Sequence, residues 1–169
     1  MSSNQPISRA SGDGEALWFN NSLLTFKATS AETGGAFVLF EMQSRRGKAT
    51  PLHLHPDQDE TFYVLDGELR VHVDGREVRA EPGGFVSIPR GVVHAFTVSS
   101  ETASFLTLLT PGPQAAEDFF RDGGEPAREP ALPPDGPLDI ARIQAAAERH
   151  GCVQLLGPPP FDREPTPAA

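Results

Sequence analysis

The stretch Gly47-Lys48-Ala49-Thr50-Pro51-Leu52-His53-Leu54-His55-Pro56-Asp57-Gln58-Asp59-Glu60, running on through Phe62 and Val64 to Gly67, decides how this chain is read. His53 and His55 are two residues apart, and on a strand such residues share a face. Both imidazoles therefore reach one ion. Glu60 opens the next apolar run, behind a polar turn, and its carboxylate can fold back onto the same ion. A second stretch, Gly83 to His94, brings a third imidazole from a separate strand behind the turn Pro89-Arg90-Gly91. Imidazole and carboxylate together suit one divalent iron, manganese, nickel, cobalt, copper or zinc ion. Four protein ligands on an ion that prefers six leave two positions for water, a substrate oxygen or dioxygen.

Short strands with turns between them extend outward from these two stretches. Apolar or β-branched runs predict strands at Leu23 to Thr29, Ala36 to Met42, Glu60 to Asp66, Leu69 to Val73, Arg76 to Arg79, Phe85 to Ile88, His94 to Ser99 and Ala103 to Thr110. Asp74-Gly75 is a two-residue hairpin signal, because both residues tolerate the positive φ such turns need. Strands at this spacing with no helix between them mean an all-β sandwich or barrel. No repeat of barrel length is present, so one barrel is expected and not a tandem pair.

The ends differ in character. Residues 1–16 are polar and read as a loose arm. The barrel is expected over 17–111. A C-terminal helical extension follows over 112–157, with short helices at Pro113 to Arg121 and Leu138 to His150. In the second helix Ile140, Ile143 and Ala147 share a face, and Gly151 is placed to stop it. Residues 158–169 read as an extended tail.

The 169 residues suit one domain. Sixteen Gly and 17 Pro favour turns over long helices. A net charge of −9 argues against nucleic acid or an anionic membrane surface as partner. The single cysteine, Cys152, rules out an intrachain disulfide or a thiolate metal site and reads as a small buried apolar residue. No apolar run is long enough to span a bilayer and no signal core is visible, so a cytoplasmic location is expected.

The spacing Gly47, His53-x-His55, Glu60, Gly67, followed by Gly83, Pro89-x-Gly91, His94, resembles the two motifs of the cupin superfamily. The final Asn of the second motif is replaced by Val98, which is not a ligand position. The resemblance implies a double-stranded β-helix, or jelly-roll barrel, with His53, His55, Glu60 and His94 as metal ligands. The chain further resembles small bacterial single-domain cupins related to quercetin 2,3-dioxygenases. That implies a dioxygenase acting on an enolized or catecholic, flavonol-like small molecule, with Glu60 taking the substrate's hydroxyl proton. It also implies a homodimer joined through N-terminal strands, with Trp18-Phe19 as a contact or as core. Metal cupins include isomerases, lyases and polyketide cyclases, so a non-oxidative enzyme is the second reading. A small-molecule-binding module is the third, weakened by the lack of a basic helix-turn-helix segment.

Strand alternation extends the site. If Glu60 and His94 point inward, so do Phe62, Val64, Phe96 and Val98, while Phe40 and Met42 supply another wall. The substrate pocket is then largely apolar. Phe119-Phe120 reads first as ordinary helix packing and second as a lid. Tyr63 points away from the site. His72 reads as a surface or packing residue. His150 sits in a helix's last turn, where the dipole favours a cation.

Overall fold

Alternation of buried and exposed residues along each long strand builds two sheets that face one another. The structure, a computed structural model, describes residues 5–161. In chain order its elements are β1 (Ala16–Phe19), β2 (Ser22–Ala28), α1 (Ser30–Thr33), β3 (Val38–Arg45), β4 (Leu52–Leu54) and β5 (Asp59–Asp66). Then come β6 (Leu69–Val73), β7 (Arg76–Ala80), β8 (Phe85–Ile88), β9 (His94–Val98) and β10 (Thr102–Thr110). The C-terminal part holds α2 (Gln114–Gly123), β11 (Glu125–Pro126), α3 (Ile140–His150) and β12 (Gln154–Gly157). One sheet has seven strands in the order β11-β1-β2-β3-β10-β5-β8, and the other has five in the order β12-β4-β9-β6-β7. All named pairings are antiparallel. The strand spacing predicts a sandwich or barrel, and this is the jelly-roll form of it that the resemblance implies.

The core lies between the sheets. β3 turns Val38, Phe40 and Met42 inward, β5 turns Glu60, Phe62 and Val64, and β10 turns Phe105, Thr107 and Leu109. Phe62, Phe96 and Phe105 pack edge to face at 5.2–5.9 Å, geometry worth about 0.5–1.5 kcal/mol per pair beyond burial. Asp74 and Gly75 have φ of 47° and 75°, as the hairpin between β6 and β7 requires. Gly67 has φ of 76°, and a Cβ there would lie 2.2 Å from the Thr102 carbonyl oxygen, so only glycine lets β5 turn into β6.

The C-terminal extension differs from its sequence reading in two short strands. Beyond the two helices it contributes β11, which pairs with β1, and β12, which pairs with β4 and sets Leu155 opposite His53. Ile140 is also corrected: it is 49% exposed in the first turn of α3, whereas Ile143, Ala146 and Ala147 are buried. Gly151 caps α3 in the left-handed conformation with φ of 67°. Packing turns α2 inward through Ala116, Glu117, Phe119 and Phe120. Phe120 meets Phe19, Phe40 and Phe119 edge to face at 4.8–5.1 Å.

The N-terminal arm is tied down from Arg9 onward. Arg9 donates to the Lys27 carbonyl and to Glu32, and Glu15 accepts from Arg121. Phe19 belongs to the core, and Trp18 donates its Nε1–H to the Ala131 carbonyl, so this pair is engaged within its own chain. Of the tail expected over 158–169, residues 162–169 lie outside the described residues.

Candidate metal centre

β4 and β9 are paired so that His53 stands directly across from His94. Alternation carries His55 to the same side as His53, and β5 presents Glu60 from the other sheet. All four residues are buried, and one ligand atom from each lies within 4.8 Å of the others. Ligand atoms about 2.0–2.2 Å from a shared ion are at most about 4.4 Å apart, so the cluster needs to close by only a few tenths of an ångström to hold one.

Hydrogen bonding at the far side of each ring aims it. His53 Nδ1–H donates to the Pro51 carbonyl at 2.8 Å, His94 Nδ1–H to that of Val92 at 2.9 Å, and His55 Nδ1–H to that of Cys152 at 3.0 Å. A carbonyl oxygen can only accept, so each ring carries its proton on Nδ1 and leaves Nε2 for the common point. This is how backbone groups orient metal-bound imidazoles. Buried His55 Nε2 makes no hydrogen bond and lies 3.4 Å from Glu60 Oε2. His94 Nε2 and Glu60 Oε2 are 2.7 Å apart and share a proton that a cation would displace.

Electrostatics favour the ligand forms of His53 and Glu60. Burial pushes His53 down to about 3, with the charge of His94 adding to it, so the ring is neutral. Burial alone would raise Glu60, but His55 and His94 outweigh it and hold the carboxyl well below the usual range. Burial alone would lower His94, and its hydrogen bond to Glu60 instead raises it. The donor set, its burial and the Nε2 atoms turned to one point fit a first-row transition metal.

A cavity of about 60 Å³ adjoins the cluster, with His53, His55 and Glu60 in its wall. Phe40, Met42, Phe62 and Phe96 line it as alternation predicts, and Phe119 and Phe120 of α2 close another side. Val64 and Val98 are buried but lie outside the lining, a correction. Alternation gives the face a residue points to, not how far along the barrel the open space extends. Leu155 of β12, Val153, Thr107, Asn20 and Lys48 also line the cavity, and sequence reading missed them. A lysine one residue after a turn glycine reads as solvent-exposed, yet Lys48 is only 8% exposed.

The remaining titratable candidates lie elsewhere. His72 pairs across β6 and β7 with Glu77. His150 lies 2.8 Å from Asp122 Oδ2. Burial raises the Cys152 thiol to about 11, leaving it unreactive. Tyr63 is exposed, on the outer face of β5.

Comparison with known proteins places this site in a family. Residues 40–109 match the cupin domain. The chain is 31% identical over 121 residues to quercetin 2,3-dioxygenase of Bacillus subtilis (strain 168), a match covering 72% of this chain. It spans only about a third (35%) of that relative's length. It is 29% identical over 138 residues to the tetracenomycin polyketide synthase protein TcmJ of Streptomyces glaucescens, covering 79% of this chain and 84% of that protein. An RmlC-like cupin from Shewanella frigidimarina superposes with a TM-score of 0.57 at 16% identity, over 68% of this chain and 97% of that one. With its jelly-roll sheets, its cupin domain and the His53, His55, Glu60, His94 group, the chain belongs to the cupin superfamily.

Proposed function

We propose that this chain is a metal-dependent enzyme that binds one divalent transition metal through His53, His55, Glu60 and His94 and oxidises an enolized or catecholic small molecule with dioxygen. The observation that carries this reading is the convergence of three Nε2 atoms and one carboxylate on a single buried point beside an apolar cavity. A bound metal would supply Lewis acidity and a template for a substrate oxygen. The three histidines orient that centre, and the phenylalanines exclude water and hold a flat apolar body. Glu60, held as a carboxylate, serves first as a ligand. It serves as a proton acceptor only where substrate binding draws it away from His55 and His94.

Cavity size sets the substrate scale. About 60 Å³ is well below the ~300–1,000 Å³ of pockets for drug-sized ligands. Even a single-ring compound therefore needs the lining side chains to give way, and a flavonol enters only if Phe119 and Phe120 move well aside.

The second reading is a non-oxidative cupin, such as a polyketide cyclase. It is favoured by the match to TcmJ over most of both chains. Elemental analysis followed by oxygen uptake separates the two. A first-row metal at about one equivalent with substrate-dependent oxygen consumption supports the dioxygenase; turnover without oxygen consumption supports the second reading; absence of metal after reloading overturns both. Homodimer assembly belongs to the same proposal, and a solution mass near 18.1 kDa would reject it.

A further inference from the structure

Among the described residues, five buried side-chain polar atoms lack a hydrogen-bond partner, and four of them belong to residues lining the one cavity beside the histidines. They are Asn20 Oδ1, Lys48 Nζ, His55 Nε2 and Thr107 Oγ1. Unpartnered buried polar atoms are rare because each costs free energy, and their concentration here marks a place where a ligand supplies the partners. His55 Nε2 is accounted for by the metal centre. The amine of Lys48 is not.

Lys48 is held in place by its backbone. Its carbonyl accepts from Val98 N at 3.0 Å, Gly47 N donates to the Val98 carbonyl, and Ala49 bridges to Thr97. Lys48 and Thr50, two residues apart on this strand-like segment, both face the cavity. Nζ sits 5.6 Å from the centre of the Phe96 ring, which offers a cation partial support. The titratable groups lining the same cavity are His53, His55 and Glu60. Lys48 and Asn20 also border an outer groove whose charged residues are Arg45, Arg46 and Asp135, so the approach is cationic in an otherwise acidic chain.

We propose that Lys48 is the second polar anchor of the active cavity, accepting the proton of an acidic phenolic or enolic hydroxyl and holding the resulting oxyanion as an ion pair. The proton moves from the hydroxyl oxygen to Nζ. The amine becomes an ammonium, the hydroxyl becomes an oxyanion, and no other reactant is needed. Desolvation lowers the amine to about 7, so it is ready to accept a proton near neutral pH. This deepens the proposed function by naming the acidity of the substrate and the residue that reads it, and it rests on that reading only for the identity of the cavity as the active one.

The test uses metal-free protein, stripped with chelator, so that its outcome does not depend on the metal. The chain has two lysines, Lys27 and Lys48, so labelling lysine Cε with carbon-13 gives two NMR signals. The Lys48 signal is expected to titrate near neutral pH and to shift to its ammonium position on addition of 4-nitrophenol. Bound nitrophenol should show its phenolate absorbance at a pH where the free compound is protonated. Lys48→Met, which keeps the length and removes the amine, should abolish that absorbance and weaken nitrophenol binding about tenfold or more. It should leave binding of the neutral methyl ether unchanged, and the metal content of protein that has not been stripped. It should also raise the melting temperature, because a lysine kept only for packing would not destabilise the fold. A Lys48 signal that is ammonium throughout pH 6–9, or a Lys48→Met protein that ionises nitrophenol like the wild type, overturns the proposal. Neither result touches metal binding, so failure here and failure of the metal reading are separately visible.

Discussion

His55 donates its Nδ1–H to the carbonyl of Cys152, 97 residues further along the chain and 3.0 Å away. A residue in the C-terminal extension thus fixes the tautomer of His55 in the candidate metal site, while β12 fastens β4, which bears His53 and ends just before His55. Deleting residues 152–169 should weaken metal binding about 10–100-fold, the range for losing a partner that orients a ligand. Competition against a chromophoric chelator measures this, with circular dichroism confirming that the barrel persists. Unchanged affinity would show that Cys152 does not matter to the site.

His53→Ala and His94→Ala should each reduce bound metal from about one equivalent to less than about a tenth, with the barrel still folded. Plasma mass spectrometry of the purified variants gives the answer. Full retention in both would sink the ligand assignment.

Glu117 is 1% exposed, accepts from the Ser30 amide and receives the Arg121 guanidinium at 2.8 Å. It ties α2 to α1 and so holds Phe119 and Phe120 over the cavity. Glu117→Ala leaves the buried Ser30 amide without its acceptor and removes one charged hydrogen bond from Arg121, which keeps Glu15 and Asp118, and should cost about 2–3 kcal/mol. That corresponds to a fall of roughly 5–10 °C in melting temperature for a chain of this size. A loss below a degree would contradict the role assigned to it.

Glu32 accepts from Arg9 at 2.7 Å and from the Thr29 amide at 2.9 Å. Arg9 foremost, with Thr29, lowers its carboxyl from 4.5 to about 2. A depressed carboxylate adds stability above its unfolded pKa and loses it as pH falls through the folded one. The contribution is therefore complete above about pH 4.5 and fades towards pH 2. With the side chain 32% exposed, solvent screening reduces it to about 1 kcal/mol. Glu32→Gln should lose that amount at pH 6 and progressively less in acid. NMR titration of Glu32 in Arg9→Ala should show its pKa moving back towards 4.5.

Local pattern made the clustering of His53, His55, Glu60 and His94 legible. Two-residue spacing put His53 beside His55, and turns before Glu60 and His94 delivered them from neighbouring strands. Barrel strands β2, β3 and β5–β10 were legible because each is a short local run bounded by turn residues. What escaped is non-local. Gln154-Leu155-Leu156-Gly157 is too short to announce a strand and pairs with β4 about a hundred positions earlier. Lys48 was missed because its burial depends on Val98 and Phe96, which no window around Gly47 contains. Val64 and Val98 have the right parity for the pocket, but the aromatic packing of Phe62, Phe96 and Phe105 ends the open space before reaching them.

Because β12 and the Cys152 carbonyl follow the barrel strands in the chain, the order of translation has a bearing on the proposed metal centre. A ribosome working at about 5–20 residues per second needs roughly 2–10 s to pass from Thr110, where the barrel strands end, to Gly157. Throughout that interval the nascent barrel has its four ligand residues but not the strand that flanks His53 or the acceptor that orients His55. On the proposed metal reading, the centre gains its full affinity only after β12 has been made and has paired with β4.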